Sequence, residues 1–210
     1  MPAPDHAALM DRVYRRQRYI YDLTRKYYLF GRDQLIRDLR LAPGMRLVEV
    51  GCGTARNLIA IAKRYPEVQL YGLDASQEML KTAAEAVNRA GLAGRIHLAH
   101  GYAEELSPAM FGEDKAFDRA VFSYSLSMIP DWKQALDASA KALAPGGRIH
   151  VVDFGDLKGL GQMGKMLLQA WLKLFHVAPR EELLNAFERE PKGSLYILPG
   201  RYAFLLTVSK

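Results

Sequence analysis

Apolar residues along this chain recur first with the period of a strand and then with that of a helix, and the switches mark the elements. Residues 46–50, RLVEV, form a short apolar run that ends in glycine and follows the turn signal Ala42-Pro43-Gly44. A helical stretch over 55–64 comes next, then a strand over 68–73, a helix capped by Ser76 and running to 90, and a strand over 95–100. The rhythm continues with a strand at 117–124, a helix at 131–143 and a strand at 148–154 launched by Ala144-Pro145-Gly146-Gly147. Strands alternating with helices of about ten to fifteen residues predict right-handed crossovers and a mostly parallel sheet covered on both faces.

Both ends of the chain depart from that rhythm. Residues 6–40 contain no proline and are rich in helix formers, which predicts one or two helices broken near Gly31, set in front of the α/β core as a helical lid. At the other end, 159–176 and 180–189 read as helices, and 194–198 and 202–208 as strands around Pro199-Gly200. So short a connection joins only antiparallel neighbours, so the sheet is expected to finish in a hairpin. At 210 residues the chain reads as one domain, a lid over 1–40 and a core over 41–210.

Composition narrows the class. Cys52 is the single cysteine, so no internal disulfide forms and a reducing cytoplasm is expected. The opening residues lack the apolar stretch of a secretory signal, and no run of about 18 apolar residues suggests a membrane span. A net charge of +6 points to an anionic partner. Arg12, Arg15, Arg16, Arg18, Arg25, Lys26 and Arg32 crowd the first segment among Tyr14, Tyr19, Tyr21, Tyr27, Tyr28 and Phe30, more aromatics than one packed face usually needs. A solvated basic face on an ordinary helix is the alternative.

The chemistry concentrates where the first strand ends, LVEVGCGTARN over 47–57. Gly51 and Gly53 allow a sharp turn and a close approach to a ligand, and the next helix offers free amides at its N-terminus. A dinucleotide fingerprint needs a further glycine at 56, where Arg56 stands, which argues against NAD or FAD. Asp74 closes the second strand about 20 residues on, where a carboxylate accepts from both ribose hydroxyls. It could instead only cap the helix before Ser76. Asp153, at the C-terminal end of the fifth strand where ligands of open α/β sheets bind, is a candidate site residue, or else a loop cap. Tyr19, Tyr21, Tyr28 and Tyr124 are candidate rings for cation-π contact with a bound cation.

The ordered set LVEVGCGTARN, YGLDASQEML, HGYAEEL and FDRAVFSYSLSMIPD, followed by LAPGGRIHVVDF, resembles the class I S-adenosylmethionine-dependent methyltransferases. The resemblance implies a Rossmann-like, seven-stranded, mostly parallel α/β sheet with an antiparallel last strand, and S-adenosylmethionine as cofactor. It implies that Glu49, Gly51 and Gly53 hold the methionine part, Asp74 the ribose, and Ala75 and Met79 the adenine faces. Ala103 and Glu104 would sit at the adenine edge, and the Ser123 carbonyl would meet the amino group. Ala55 stands where many relatives have a third glycine, and Tyr102 where many have an aspartate. Ser127-Met128 replaces the histidine that relatives acting on carbon or oxygen often carry, so imidazole base chemistry is not expected there.

The segments YRRQRYIYDLTRKYYLFGRDQLI and SYSLSMIPDW are similar to the N-methyltransferases of bacterial betaine-lipid synthesis. That likeness implies trimethylation of a diacylglyceryl homoserine head group, with Tyr21 at the methionine carboxylate and Tyr28, Tyr124 and Asp153 about the acceptor. A phospholipid or small-molecule amine methyltransferase is the nearest alternative. Nucleic-acid methylation is disfavoured because Ser123-Tyr124-Ser125 replaces the Asn/Asp-Pro-Pro-aromatic signature. An enzyme of this kind is expected at the inner membrane face, held peripherally at an anionic surface. GQMGKMLLQAWLKLFHV, 161–177, sets Met163, Met166, Leu167, Trp171, Leu174 and Phe175 near helical spacing, which fits a core stripe or a lipid contact.

Overall fold

The structure, a computed structural model, describes residues 29–173, 180–189 and 193–210. Its helices are α1 (Arg32–Asp38), α2 (Arg56–Arg64), α3 (Gln77–Arg89), α4 (Trp132–Ala142), α5 (Gly161–Lys173) and α6 (Glu181–Arg189). The strands are β1 (Arg46–Val50), β2 (Gln69–Asp74), β3 (Ile96–His100), β4 (Phe117–Ser123), β5 (Leu143–Phe154), β6 (Gly193–Ile197) and β7 (Ala203–Ser209). They form one seven-stranded sheet in the order β3-β2-β1-β4-β5-β7-β6. The pairings from β3 through β5 are parallel, and β7 runs antiparallel to both β5 and β6, so the chain ends in the hairpin expected from Pro199-Gly200.

Alternation along each strand sends successive side chains to opposite faces. Leu47, Leu70, Val121 and Val152 pack with Leu35, Leu58, Ile61 and Ala83 beneath α1, α2 and α3. Val48, Val50, Phe122 and Val151 pack on the other face with Ala135, Ala138, Leu183 and Leu184 of α4 and α6. Sheet and helices thus make the doubly covered layer that the β-α alternation predicts. The caps follow the sequence as well. Ser76 Oγ accepts from Met79 N at 3.3 Å and Asp131 Oδ1 from Gln134 N at 3.1 Å, each cap worth about 1 kcal/mol.

Several boundaries shift by a single residue, and three changes have a local reason. β5 begins at Leu143 rather than 148, because Leu143 pairs with Phe117 and the Pro-Gly-Gly stretch is absorbed as a register shift before Arg148 meets Arg119. β4 stops at Ser123 because Tyr124 takes φ +55°, outside the extended region. The helix expected over 159–176 opens as a short 3-10 turn at Lys158–Leu160 before α5. The lid expected over 1–40 lies outside the described residues except for Leu29 onward, which includes α1 behind a left-handed Gly31.

Candidate functional site

Strand order reverses between β1 and β4, and in open α/β sheets ligands bind beyond the carboxyl ends of the strands at such a switch point. A cleft opens there, lined by Leu29, Arg32, Glu49, Gly51, Cys52, Thr54, Arg56, Asn57 and Ser123. β1 delivers Glu49 and Gly51, β4 delivers Ser123, and the first turn of α2 delivers Arg56 and Asn57.

The glycine loop is built on left-handed backbone. Gly51 has φ +73° and Gly53 φ +53°, and the Gly51 and Cys52 amides both donate to Leu73 O, at 2.8 and 3.0 Å. Ala55, fully buried, caps α2 at φ +60°, a conformation glycine takes without the Cβ penalty, which accounts for the third glycine of the relatives. A Cβ on Gly51 would lie 2.5 Å from Ser125 Cβ, and Ser125 Oγ itself donates to Val50 O at 2.7 Å. The loop is therefore clamped from the β2 side and from the β4 exit.

Two carboxylates stand over this loop. Asp74 Oδ2 accepts from Gly53 N at 2.7 Å and Oδ1 from Ser76 N at 2.9 Å, so one residue joins the glycine loop to the start of α3. The ribose reading and the helix-start reading of Asp74 are thus compatible, since each carboxylate oxygen has a second lone pair. Glu49, buried, has Oε1 held by Asn57 Nδ2 at 2.7 Å. Burial together with Asp74 and Glu49 pushes the Cys52 thiol well above its ordinary pKa, so it stays protonated at neutral pH.

Met79 is buried at the start of α3, and Ala75 is half-buried with its carbonyl 3.1 Å from His100 Nε2. Ala103, buried, and Glu104, half-buried, sit in a short 3-10 turn whose approach is tied to β2 by Gly101 N donating to Asp74 O at 3.1 Å. Tyr102 is exposed. Ser123 lies on the cleft wall, and its buried Oγ has no hydrogen-bond partner among the described residues.

In the sequence Arg32 is one member of a general basic run, with nothing local to mark it as a site residue. The α1 segment carries it to the cleft, where it joins Glu49 on the wall, and its Nε donates to Leu29 O at 3.3 Å. Asn57, within the glycine motif but without a role there, turns out to orient Glu49; its spacing of eight residues from Glu49 was the available signal.

Tyr124 and Asp153 lie away from the open cleft. Tyr124 is buried, its ring meets Phe154 edge-on at 4.6 Å, and its hydroxyl donates to Phe30 O. Burial pushes its pKa well up, so it remains a phenol. The structure makes it a strut that holds the 29–31 segment. Tyr124→Phe is expected to lower stability by about 1 kcal/mol in urea denaturation while leaving kcat within about threefold. Loss of turnover with unchanged stability would return the hydroxyl to the chemistry. Tyr19, Tyr21 and Tyr28 lie outside the described residues.

Asp153 is fully buried, with Oδ2 accepting from Ser127 N at 2.9 Å and Oδ1 from Phe154 N at 2.8 Å. It shapes the turn after β4, as the loop-cap alternative has it. Burial raises its pKa to about 6, against the pull of the amides. A carboxyl whose folded pKa lies above its unfolded value stabilises fully below the unfolded pKa, and that contribution is lost as pH rises through about 6. The stability difference between the protein and Asp153→Asn is therefore expected to shrink by about 1 to 3 kcal/mol between pH 4 and pH 7. Urea titrations across that range check it, and a flat difference refutes it.

The donor set suits S-adenosylmethionine: carboxylates for an amino group and for hydroxyls, a guanidinium for a carboxylate, and a buried serine hydroxyl awaiting a partner. Comparison with known proteins agrees. A methyltransferase-domain family matches residues 47–147. The ubiquinone/menaquinone biosynthesis C-methyltransferase UbiE of Syntrophotalea carbinolica is 30% identical over 214 residues, spanning 97% of this chain and 84% of that protein. The demethylmenaquinone methyltransferase of Geobacillus kaustophilus is 35% identical over 121 residues, and there the match spans only 50% of the relative's length. In structure, a SAM-dependent methyltransferase from Aquifex aeolicus superposes with a TM-score of 0.64 at 16% identity, over 89% of this chain and 92% of that one, which supports the fold. A glycine loop clamped under two carboxylates at the switch point of a seven-stranded sheet, with a relative matched over nearly its whole length, places this chain in the class I S-adenosylmethionine-dependent methyltransferases.

Proposed function

We propose that the chain methylates the amine of a lipid head group, with diacylglyceryl homoserine carried to its trimethylated betaine as the leading acceptor. The observation that supports this is made among the described residues: no histidine lines the cleft, Cys52 is held protonated, and the side chains of Tyr124 and Asp153 are bonded within the fold. A neutral amine brings its own lone pair and sheds its proton to water, so such a site needs alignment and dryness more than acid-base assistance. The likeness of the tyrosine-rich first segment to betaine-lipid N-methyltransferases supports the same acceptor.

S-adenosylmethionine supplies an electrophilic methyl group on a sulfonium. The chain's own residues bind and orient. Glu49, fixed by Asn57, would take the amino group of the methionine part, Arg32 its carboxylate, and Asp74 the ribose hydroxyls. Met79, Ala75, Ala103 and Glu104 would enclose the adenine, and the Ser123 carbonyl would complete the amino-group contacts.

A second reading is methylation of a ring carbon, favoured by the quinone-pathway names of the relatives. Enzyme with cofactor and liposomes bearing either diacylglyceryl homoserine or a demethylmenaquinone separates the two by product mass. Successive mass gains of one, two and three methyl groups on the homoserine lipid are expected. Methylation of the quinone with none of the lipid amine overturns the proposal.

A further inference from the structure

The apolar stripe at 161–177 fitted a core face as well as a lipid contact, and the structure turns its described part outward. Met163, Met166 and Leu167 are 76%, 63% and 68% exposed, whereas Leu168, next along α5, packs against the core with Leu198 and Tyr202. Positions 163, 166 and 167 share one face of the helix, and Leu160, also exposed, stands one turn before them. Scattered exposed apolar residues are ordinary, but a contiguous row of long ones marks an interaction surface.

This row continues to the mouth of the cleft. Leu160 lies against the β6-β7 turn, where a Cβ on Gly200 would come within 2.7 Å of it. Tyr202, just beyond that turn, meets Phe30 edge-on at 5.3 Å, and Phe30 is 59% exposed beside Leu29 on the cleft wall. Charge accompanies the apolar row. Residues 157–173 carry Lys158, Lys165 and Lys173 and no acidic residue, and the Lys158 side chain is 55% exposed while its ammonium group pairs with the buried Asp156 at 3.1 Å.

We infer that this face docks on an anionic lipid bilayer, with Met163, Met166, Leu167 and Phe30 entering the interface and Lys158 and Lys165 near the lipid head groups. A second copy of the chain would fit poorly, since a two-fold contact would bring the same cations together. A bilayer supplies both the apolar depth and the negative charge. The inference rests on the reading of a lipid-borne acceptor, whose head group would reach the cleft past Phe30 while its chains stay in the bilayer.

Sedimentation with phosphatidylcholine vesicles, with and without phosphatidylglycerol, tests the face without cofactor or substrate. Binding to the anionic vesicles is expected, and Met163→Glu/Met166→Glu/Leu167→Glu should weaken it by at least about tenfold. Met163→Leu/Met166→Leu keeps the apolar face and should bind like the parent. A thermal melt unchanged in the glutamate variant shows that it folds, as exposed positions predict. Equal binding by the glutamate and leucine variants overturns the inference, as does a parent dimer in light scattering that the glutamate variant dissolves. A protein that binds vesicles yet leaves the homoserine lipid unmethylated would sink the acceptor reading alone.

Discussion

Asp74→Ala is expected to raise the Kd for S-adenosylmethionine by about 100-fold, or about 2.7 kcal/mol. The structure enlarges the effect beyond the loss of ribose contacts. The Asp74 carboxylate also accepts from Gly53 N and Ser76 N, so alanine removes the ligand's acceptor and strips two amides of their partner in the loop that shapes the cleft. Hydrogen bonds to a charged acceptor are worth about 1.5 to 3 kcal/mol each, and two such bonds to the ribose would exceed the predicted loss unless the freed site takes up water. Asp74→Asn keeps one acceptor oxygen and should lose only about tenfold. Calorimetric titration with S-adenosylhomocysteine, alongside thermal melts, divides the roles. Reduced melting temperature with unchanged affinity would make Asp74 a loop clamp only.

How much of this was legible beforehand depends on whether a feature is local or tertiary. The β-α alternation, the glycine turn and the terminal hairpin were all readable, since each follows from periodicity or turn chemistry within a few residues. Arg32 was not readable as a cleft residue, because its place depends on how α1 packs beside β5 and α2 and nothing near it in sequence records that packing. Asp153 is half local and half tertiary. Its position at the carboxyl end of β5 was right, but the direction of its side chain is fixed by strand parity and by the Ser127 amide, 26 residues away. The α5 stripe was correctly seen as one face, yet periodicity does not say which face a neighbour covers.

The other change of large effect is Gly51→Ala, which is expected to destabilise the fold by about 3 kcal/mol or more and to close part of the cleft. Two costs combine. A non-glycine residue at φ +73° carries about 1 to 2 kcal/mol of left-handed strain, and the new methyl would sit 2.5 Å from Ser125 Cβ. Ser125 cannot simply yield, because it is buried and its Oγ is bonded to Val50 O at 2.7 Å on the adjoining strand. The two costs separate experimentally. Ser125→Gly removes the obstructing Cβ at a cost of about 1 kcal/mol for the lost hydrogen bond, and it leaves the backbone of residue 51 where it was. Gly51→Ala/Ser125→Gly should therefore be more stable than the sum of the single changes by about 1 to 2 kcal/mol in urea denaturation, and the deficit that remains measures the left-handed strain. Additive single effects would mean that the loop relaxes away from Ser125. The clamp from β4 would then be dispensable, and the cleft would owe its shape to Leu73 and Asp74 alone.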